Sequence, residues 1–597
     1  MVKGLFFPRD GQDREPAHSP SGTVTATLLI YGSTVLFSLF FSLFLSSVGF
    51  ALGIPLTSGH FFFILPSTLA FALISSLIFP YRGRLSGTLI VLGLLVFTFY
   101  LSLYISRNFF DISYDGQGYH QEALMQLSSG WNPFYEQLNS LESNNMDRWL
   151  NHYSKGVWIY ESILFKVTRD IESAKLFHLW LMSAAFIFAL SFLLRFKKIP
   201  TTFIFLVSLL AAFNPVSIYQ SLSFYLDGQL MSLMVILLAI MGLIYTESNG
   251  YYYFLLLMVI SVLVNVKLTA GIYAFIFVAA YMAILWMKRN HGRLRKVFLS
   301  AGGAFILGFL LFGWSPYVTN LVYQGNPLYP ALGTDRSDYT LPQFPANFNG
   351  KNSGYLLFYS IFAKSDNVRG TDRLAHLKVP FTFSGDELKA FTDTNAKQGG
   401  FGPVFGGAIL LSFLVAIWGL VTLWREKRRL GNHKGNSRGV PREGAKEAPL
   451  GTIGLLLFCM GVILVSCLIN PASSLARFIP QMWLFPIFAF FLAYHSSKRP
   501  VRMIGALIIW ILLLNNILIA YTYYGYNSNI TGLYKDRLGR FAATGEQNPH
   551  KFYFGHFRTS NTSRFNKLGI HYEIVENKED CGNGKRILPN SIILKCN

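Results

Sequence analysis

Apolar residues along this chain come in runs of about twenty, broken by short polar connections and by a few long ones. A helix rises about 1.5 Å per residue and the hydrocarbon of a bilayer is about 30 Å thick, so about twenty apolar residues make one crossing. The pattern predicts spans near 24–50, 60–80, 85–105, 175–195, 201–221, 229–247, 251–266, 268–287, 297–315, 403–424, 450–469, 479–495 and 501–521. The expected fold class is an all-α polytopic membrane protein of about thirteen transmembrane helices. One stretch tests that count. Residues 251–287 carry a single charge, Lys267. As one helix they would be about 55 Å long, nearly twice the hydrocarbon thickness. A hairpin turning at Lys267 fits the bilayer instead.

Lys and Arg set the orientation. They gather at Arg82 and Arg84, at Arg195 to Lys198, at Lys288 to Lys296, at Arg425 to Lys446 and at Lys498 to Arg502. With the N-terminus inside, every cluster falls on the inner side, as the positive-inside bias requires. Residues 1–23 read as a disordered cytoplasmic N-terminus without a secretory signal, and residues 425–449 as a solvated cytoplasmic linker. Residues 24–521 form the transmembrane domain. Three polar segments share the outer side: 106–174, 316–402 and 522–597. The first contains Leu124, Leu127 and Trp131 at helical spacing and is expected to lie amphipathically on the membrane surface. The last mixes "KFYFGH", "HYEIV" and "SIILKC" with turn residues and reads as a small mixed α/β domain outside the membrane.

Composition agrees with lipid as solvent. Charged residues are 14% of the chain, against about 25% in soluble domains. The net charge of +21 does not form a basic domain, so nucleic acid is not an expected partner. Cys459 and Cys467 sit in an apolar run as small hydrophobes. Cys581 and Cys596 sit in the outer tail, where an oxidising compartment lets them pair.

Against this background two short motifs stand out: "YDGQGYH" at 114–120 and "FYLDGQLM" at 224–231. Both place Asp-Gly-Gln at the outer end of an apolar segment. Asp-Gly is also an ordinary turn signal, but two acids beside hydrocarbon are expensive unless used. Asp115 and Asp227 are therefore expected in one site. Asp111 and Glu122 add acid nearby.

An acidic first outer loop followed by "SFYLDGQLMSLMVI" at a helix re-entry resembles the GT-C superfamily of membrane glycosyltransferases. The likeness is to its protein O-mannosyltransferase and aminoarabinose transferase branch, and covers residues 85–495. Tyr225-Leu226-Asp227, "NVKLTAG" around Lys267, "GNPLYP" at 325–330 and "SSLARFIPQMW" around Arg477 carry it. The mannosyltransferases have adjacent acids in the first loop, where this chain has Asp115 followed by Gly116, and two additional spans precede the loop here. The resemblance implies a GT-C-like fold with the catalytic acid in the first outer loop. It also implies transfer of a sugar from a polyprenyl-phosphate donor to an extracytoplasmic acceptor, in the plasma (inner) membrane with the site outside.

Such chemistry needs a base for the acceptor hydroxyl and cations for the departing phosphate. Asp115 is the candidate base, and Lys267 and Arg477 are the candidate phosphate holders. Gln117, His120, Tyr225 and Tyr329 complete the residues read as substrate contacts. Asp227 has two roles open, orienting the acceptor or joining Asp115 around a divalent cation such as Mg or Mn. Plain alternatives stand beside these: Lys267 and Arg477 as interfacial anchors, His120 and His152 as satisfied loop histidines, and Trp131, Trp149, Tyr153 and Trp158 as an interfacial belt. The rival function is a transporter or flippase, or a polymerase, of lipid-linked saccharides. A carrier would place ionisable groups midway along its spans, whereas here they gather at the outer rim.

Overall fold

In the computed structural model, residues 20–79, 84–332, 344–368, 373–435, 451–544, 549–587 and 593–596 are described. The expected cytoplasmic N-terminus lies outside them up to residue 19, as does the expected linker from residue 436 to 449. The chain is a multi-pass helical membrane protein with one small sheet at its C-terminal end. Among the described residues, nine helices are long and apolar enough to cross a membrane, the first at Gly22–Ala51 and the last at Arg499–Thr544.

The remaining four expected spans appear as shorter apolar helices: Thr201–Ala212, Gly250–Val266, Thr452–Leu468 and Pro480–Tyr494. Nine of the expected thirteen spans are thus long enough to cross a membrane by themselves, and the other four are present as shorter apolar helices. The first of these four shorter helices ends instructively at residue 212. The span expected over 201–221 stops there because Asn214 and Pro215 open a new helix, Pro215–Gln220, with Asn214 accepting from the Ser217 amide at 3.0 Å. Proline has no N–H to continue the preceding ladder. The break at Lys267 is equally sharp. Lys267 is the single extended residue between two helices, and the chain folds back so closely that a Cβ on Gly271 would stand 3.6 Å from the Val264 Cα.

The first outer segment is not laid on the membrane surface. Leu124, Leu127 and Trp131 are buried in the main core, and the helix Gln121–Ser129 packs on Gly156–Thr168, where Ser162 donates to the Leu124 carbonyl at 3.3 Å. Burying an apolar stripe against protein satisfies it as well as lipid would.

The last helix runs unbroken for 46 residues, Arg499–Thr544, past the expected end of its span. Its C-terminal part leads into the C-terminal module. Strands β1 (His550–Tyr553), β2 (Tyr572–Ile574), β3 (Lys585–Arg586) and β4 (Leu594–Lys595) form a sheet in the order β2-β1-β4-β3. β1 and β2 are parallel and are joined through the helix Arg558–Lys567. Phe552, Phe554, Phe565 and Ile570 form the module's core against Tyr534 and Leu538 of the long helix and Phe110 of the first outer segment.

Cys581 and Cys596 are disulfide-bonded across 15 residues, with Cα atoms 4.7 Å apart. The module has little core of its own, so the bond is expected to stabilise it by about 3 kcal/mol. Replacing both cysteines by Ser should lower the module's unfolding transition without unfolding the spans. Proteolysis in detergent, followed by mass mapping, checks this: cleavage of residues 549–596 should accelerate while the membrane core stays intact. Equal cleavage rates would show that the bond contributes nothing.

Candidate active site

Four distant segments bring their charges to one place. Asp115 precedes a short π-helical turn, Gly116–His120. Asp227 opens the helix Asp227–Thr246, where the positive end of the helix dipole favours its carboxylate. Lys267 stands at the helix break, and Arg477 lies on the 3-10 turn Ala476–Phe478. Lys267 Nζ lies 2.8 Å from Asp227 Oδ1. Arg477 Nη1 is 3.6 Å from Asp227 Oδ2 and 3.7 Å from Asp115 Oδ2, so one guanidinium faces both acids. The Phe478 ring has the Lys267 ammonium 4.3 Å and the Arg477 guanidinium 4.7 Å from its centre, which places a ring against each cation.

The two acids differ in what else holds them. Asp227 has a side chain 3% exposed and also accepts from Gln220 Nε2 at 3.2 Å. Asp115 is 25% exposed and meets only Arg477 at ion-pair distance among the described residues. The open carboxylate is Asp115.

Each residue of Asp-Gly-Gln has a separate task. The glycines permit close approach. A Cβ on Gly116 would fall 2.0 Å from Asp111 Oδ2, and one on Gly228 would fall 3.2 Å from the Ser217 Cα. Asp111 is the strut behind this packing. Buried, it accepts from the Ser113 amide at 2.8 Å and from the Phe224 amide at 2.9 Å, tying the Asp115 segment to the Asp227 segment. The glutamines are anchors. Gln229 accepts from the Tyr160 hydroxyl and donates to Glu161 Oε1 at 3.3 Å. Burial pushes the Glu161 carboxyl well above the usual range, although Gln229 works against this. Gln117 accepts from Asn561 Nδ2 at 3.2 Å and Arg564 Nη1 at 3.1 Å, both on the C-terminal module.

The structure therefore brings together Asp115, Asp227, Lys267, Arg477 and Tyr225, whose ring lies 5.0 Å from the Arg477 guanidinium carbon. Gln117 is placed against the C-terminal module instead. His120 is buried and accepts from Trp158 Nε1 at 2.8 Å. Burial pushes its imidazole far below the usual range, so it is neutral at physiological pH and a poor proton carrier there. Tyr329 belongs to another cluster, its ring 4.7 Å from that of His152, which donates to Asn320 Oδ1 at 2.7 Å.

A divalent cation does not fit the acids as arranged. Such ions take six or more oxygen ligands, and here the position shared by the two carboxylates is held by the Arg477 guanidinium. Among the described residues no three of His, Cys, Asp or Glu cluster as a metal set.

No protein-family model and no curated protein sequence matches the chain. Among solved structures it is similar to ArnT from Cupriavidus metallidurans bound to undecaprenyl phosphate. The identity is 12%, over 82% of this chain and 86% of that one, with a TM-score of 0.40.

Sequence reasoning missed several residues at the site. Gln220 bridges from Asp227 to the Thr394 carbonyl at 3.3 Å and accepts from the Gly228 amide at 2.9 Å. Asn395 donates to the Tyr225 hydroxyl at 3.2 Å, so the second outer segment supports the site from one side. Neither residue lies in a recognisable pattern. Arg564 is the largest omission. It is fully buried and reaches Glu172 Oε1 at 2.5 Å, the Asp111 carbonyl at 2.8 Å and Gln117. Lys175 holds the other Glu172 oxygen at 2.5 Å.

This arrangement makes Gln117 a brace. Gln117→Leu is expected to cost about 1.5–3 kcal/mol, the worth of a hydrogen bond to a charged partner. It should lower the unfolding temperature measurably. Unchanged stability would return Gln117 to the role of a substrate contact.

Proposed function

We propose that the chain is an integral membrane glycosyltransferase of the GT-C type. It transfers a sugar from a polyprenyl-phosphate donor to an acceptor on the outer side of the membrane. The observation that carries this reading is the single Arg477 guanidinium set against one open and one buried carboxylate, with Lys267 beside it.

In this reading the acceptor hydroxyl oxygen attacks the anomeric carbon as the carbon–oxygen bond to the phosphate breaks. The hydroxyl proton passes to Asp115, the carboxylate that water reaches. Arg477 and Lys267 receive the phosphate, whose negative charge grows as the sugar leaves. The fork of Arg477 suits two phosphate oxygens, and Lys267, 28% exposed, has room to turn toward a third. Asp227 remains behind as the counter-ion that aims both cations. The lipid tail stays in the bilayer, which suits a site where Asp227 and Lys267 stand at the ends of apolar helices.

The test is direct. Lipid extracts from cells with and without the protein are compared by mass, and purified protein in lipid is given a polyprenyl-phosphate sugar with an extract of candidate acceptors. Accumulated donor in the deleted cells and sugar transfer in vitro are expected. Unchanged extracts together with no transfer to any acceptor would sink the assignment.

A further inference from the structure

The helix Arg84–Asn108 carries Phe97, Tyr100, Leu101 and Tyr104 exposed along one face, at the spacing of a single helical stripe. Such a face belongs to lipid, and tyrosines near its outer end mark the head-group level. Just beyond them the helix end meets the C-terminal module along a seam that contains a cavity of about 340 Å³.

The wall of this cavity holds twice as many cations as acids: Arg107, Lys535, Arg564 and Lys567 against Asp170 and Glu172. Glu172 is already satisfied by Arg564 and Lys175. Asp170, buried, takes Arg107 Nε at 3.0 Å and Lys567 Nζ at 2.7 Å. Among the described residues Arg107 is held through its Nε alone, and its side chain is 50% exposed. Lys535, also exposed, donates to the Asn108 carbonyl at 2.9 Å and pairs with no carboxylate among the described residues. Phe110 and Leu568 add apolar surface between the charges. Excess positive charge on the outer side runs against the bias that keeps Lys and Arg inside.

We infer that this seam binds the phosphate of an anionic lipid head group in the outer leaflet. The terminal nitrogens of Arg107 and the ammonium of Lys535 meet the phosphate, and the apolar surface takes the first carbons below it. The same chemistry would accept a free phosphate, and the assay separates the two. Arg107 and Lys535 take no part in the acid cluster, and the proposal does not depend on the enzymatic reading.

Native mass spectrometry of the full-length protein, with phosphatidylglycerol or phosphatidylcholine supplied in detergent, reads retained lipid directly. Phosphatidylglycerol should be retained in preference to phosphatidylcholine. Lys535→Gln, a change at an exposed residue, should lower that preference about fivefold, and Arg107→Gln with Lys535→Gln roughly twentyfold. Millimolar inorganic phosphate is added as a competitor. If it displaces the lipid, the phosphate alone is recognised; if it does not, the lipid's apolar part is required as well. Equal retention of both lipids by the parent protein, or a preference unchanged in both variants, overturns the site.

Discussion

Asp115→Asn is expected to lower sugar transfer by about 10²–10⁴-fold, the usual worth of a general base. The substitution keeps the shape of the side chain and removes its ability to take a proton. Two features make the effect separable from damage to the fold. Asp115 is 25% exposed, and its one ion-pair partner among the described residues, Arg477, keeps Asp227 at 3.6 Å when the Asp115 charge is gone. The variant should therefore unfold at nearly the parent temperature and bind the donor almost as well. Transfer by purified protein in lipid, with donor binding measured separately, checks all three expectations. Near-normal transfer would mean that another group takes the proton, and "YDGQGYH" would revert to an ordinary turn.

Asp227→Ala should fail differently. Its carboxylate, 3% exposed, holds Lys267 at 2.8 Å and Gln220 at 3.2 Å and stands 3.6 Å from Arg477. Removing it leaves two cations beside the Phe478 ring with Asp115 as the nearest remaining acid. Breaking a buried pair in this way costs about 3–5 kcal/mol, because the surviving charge stays desolvated. Thermal unfolding in one detergent should show a clear loss for Asp227→Ala and little for Asp115→Asn. Lys267→Met in the Asp227→Ala background should recover part of it, since the stranded ammonium is gone. Equal stability of the two single variants would mean that Asp227 is solvated in the membrane-embedded protein.

What could be read from the sequence was the chemistry that lipid makes conspicuous. Asp115, Asp227 and Lys267 are charges bordering long apolar runs, where an unused charge is costly, and Arg477 stands in a short motif between two such runs. The strut and the anchors were another matter. Asp111 reaches across 113 residues to the Phe224 amide, and a lone acid in a polar loop carries no sign of that. Residues 522–544 hide a helix for a similar reason. Their polar composition, "TYYGYNSNITGLYKDRLGRFAAT", assigns them to the small mixed domain rather than to the last span, yet Tyr523, Asn527, Thr531, Tyr534 and Leu538 are buried at helical spacing. Tertiary packing supplies the order that local propensity lacks.

The ties from Arg564 to Gln117 and Asp111 span 447 and 453 residues of chain. During synthesis at about 5–20 residues per second, the Asp115 turn emerges roughly 20–90 s before the arginine that braces it. Until the final stretch is translated, the earlier helices can enter the bilayer while the acid loop has nothing to lean on. A ribosome that stops short of residue 564 leaves the Asp115 turn without these ties.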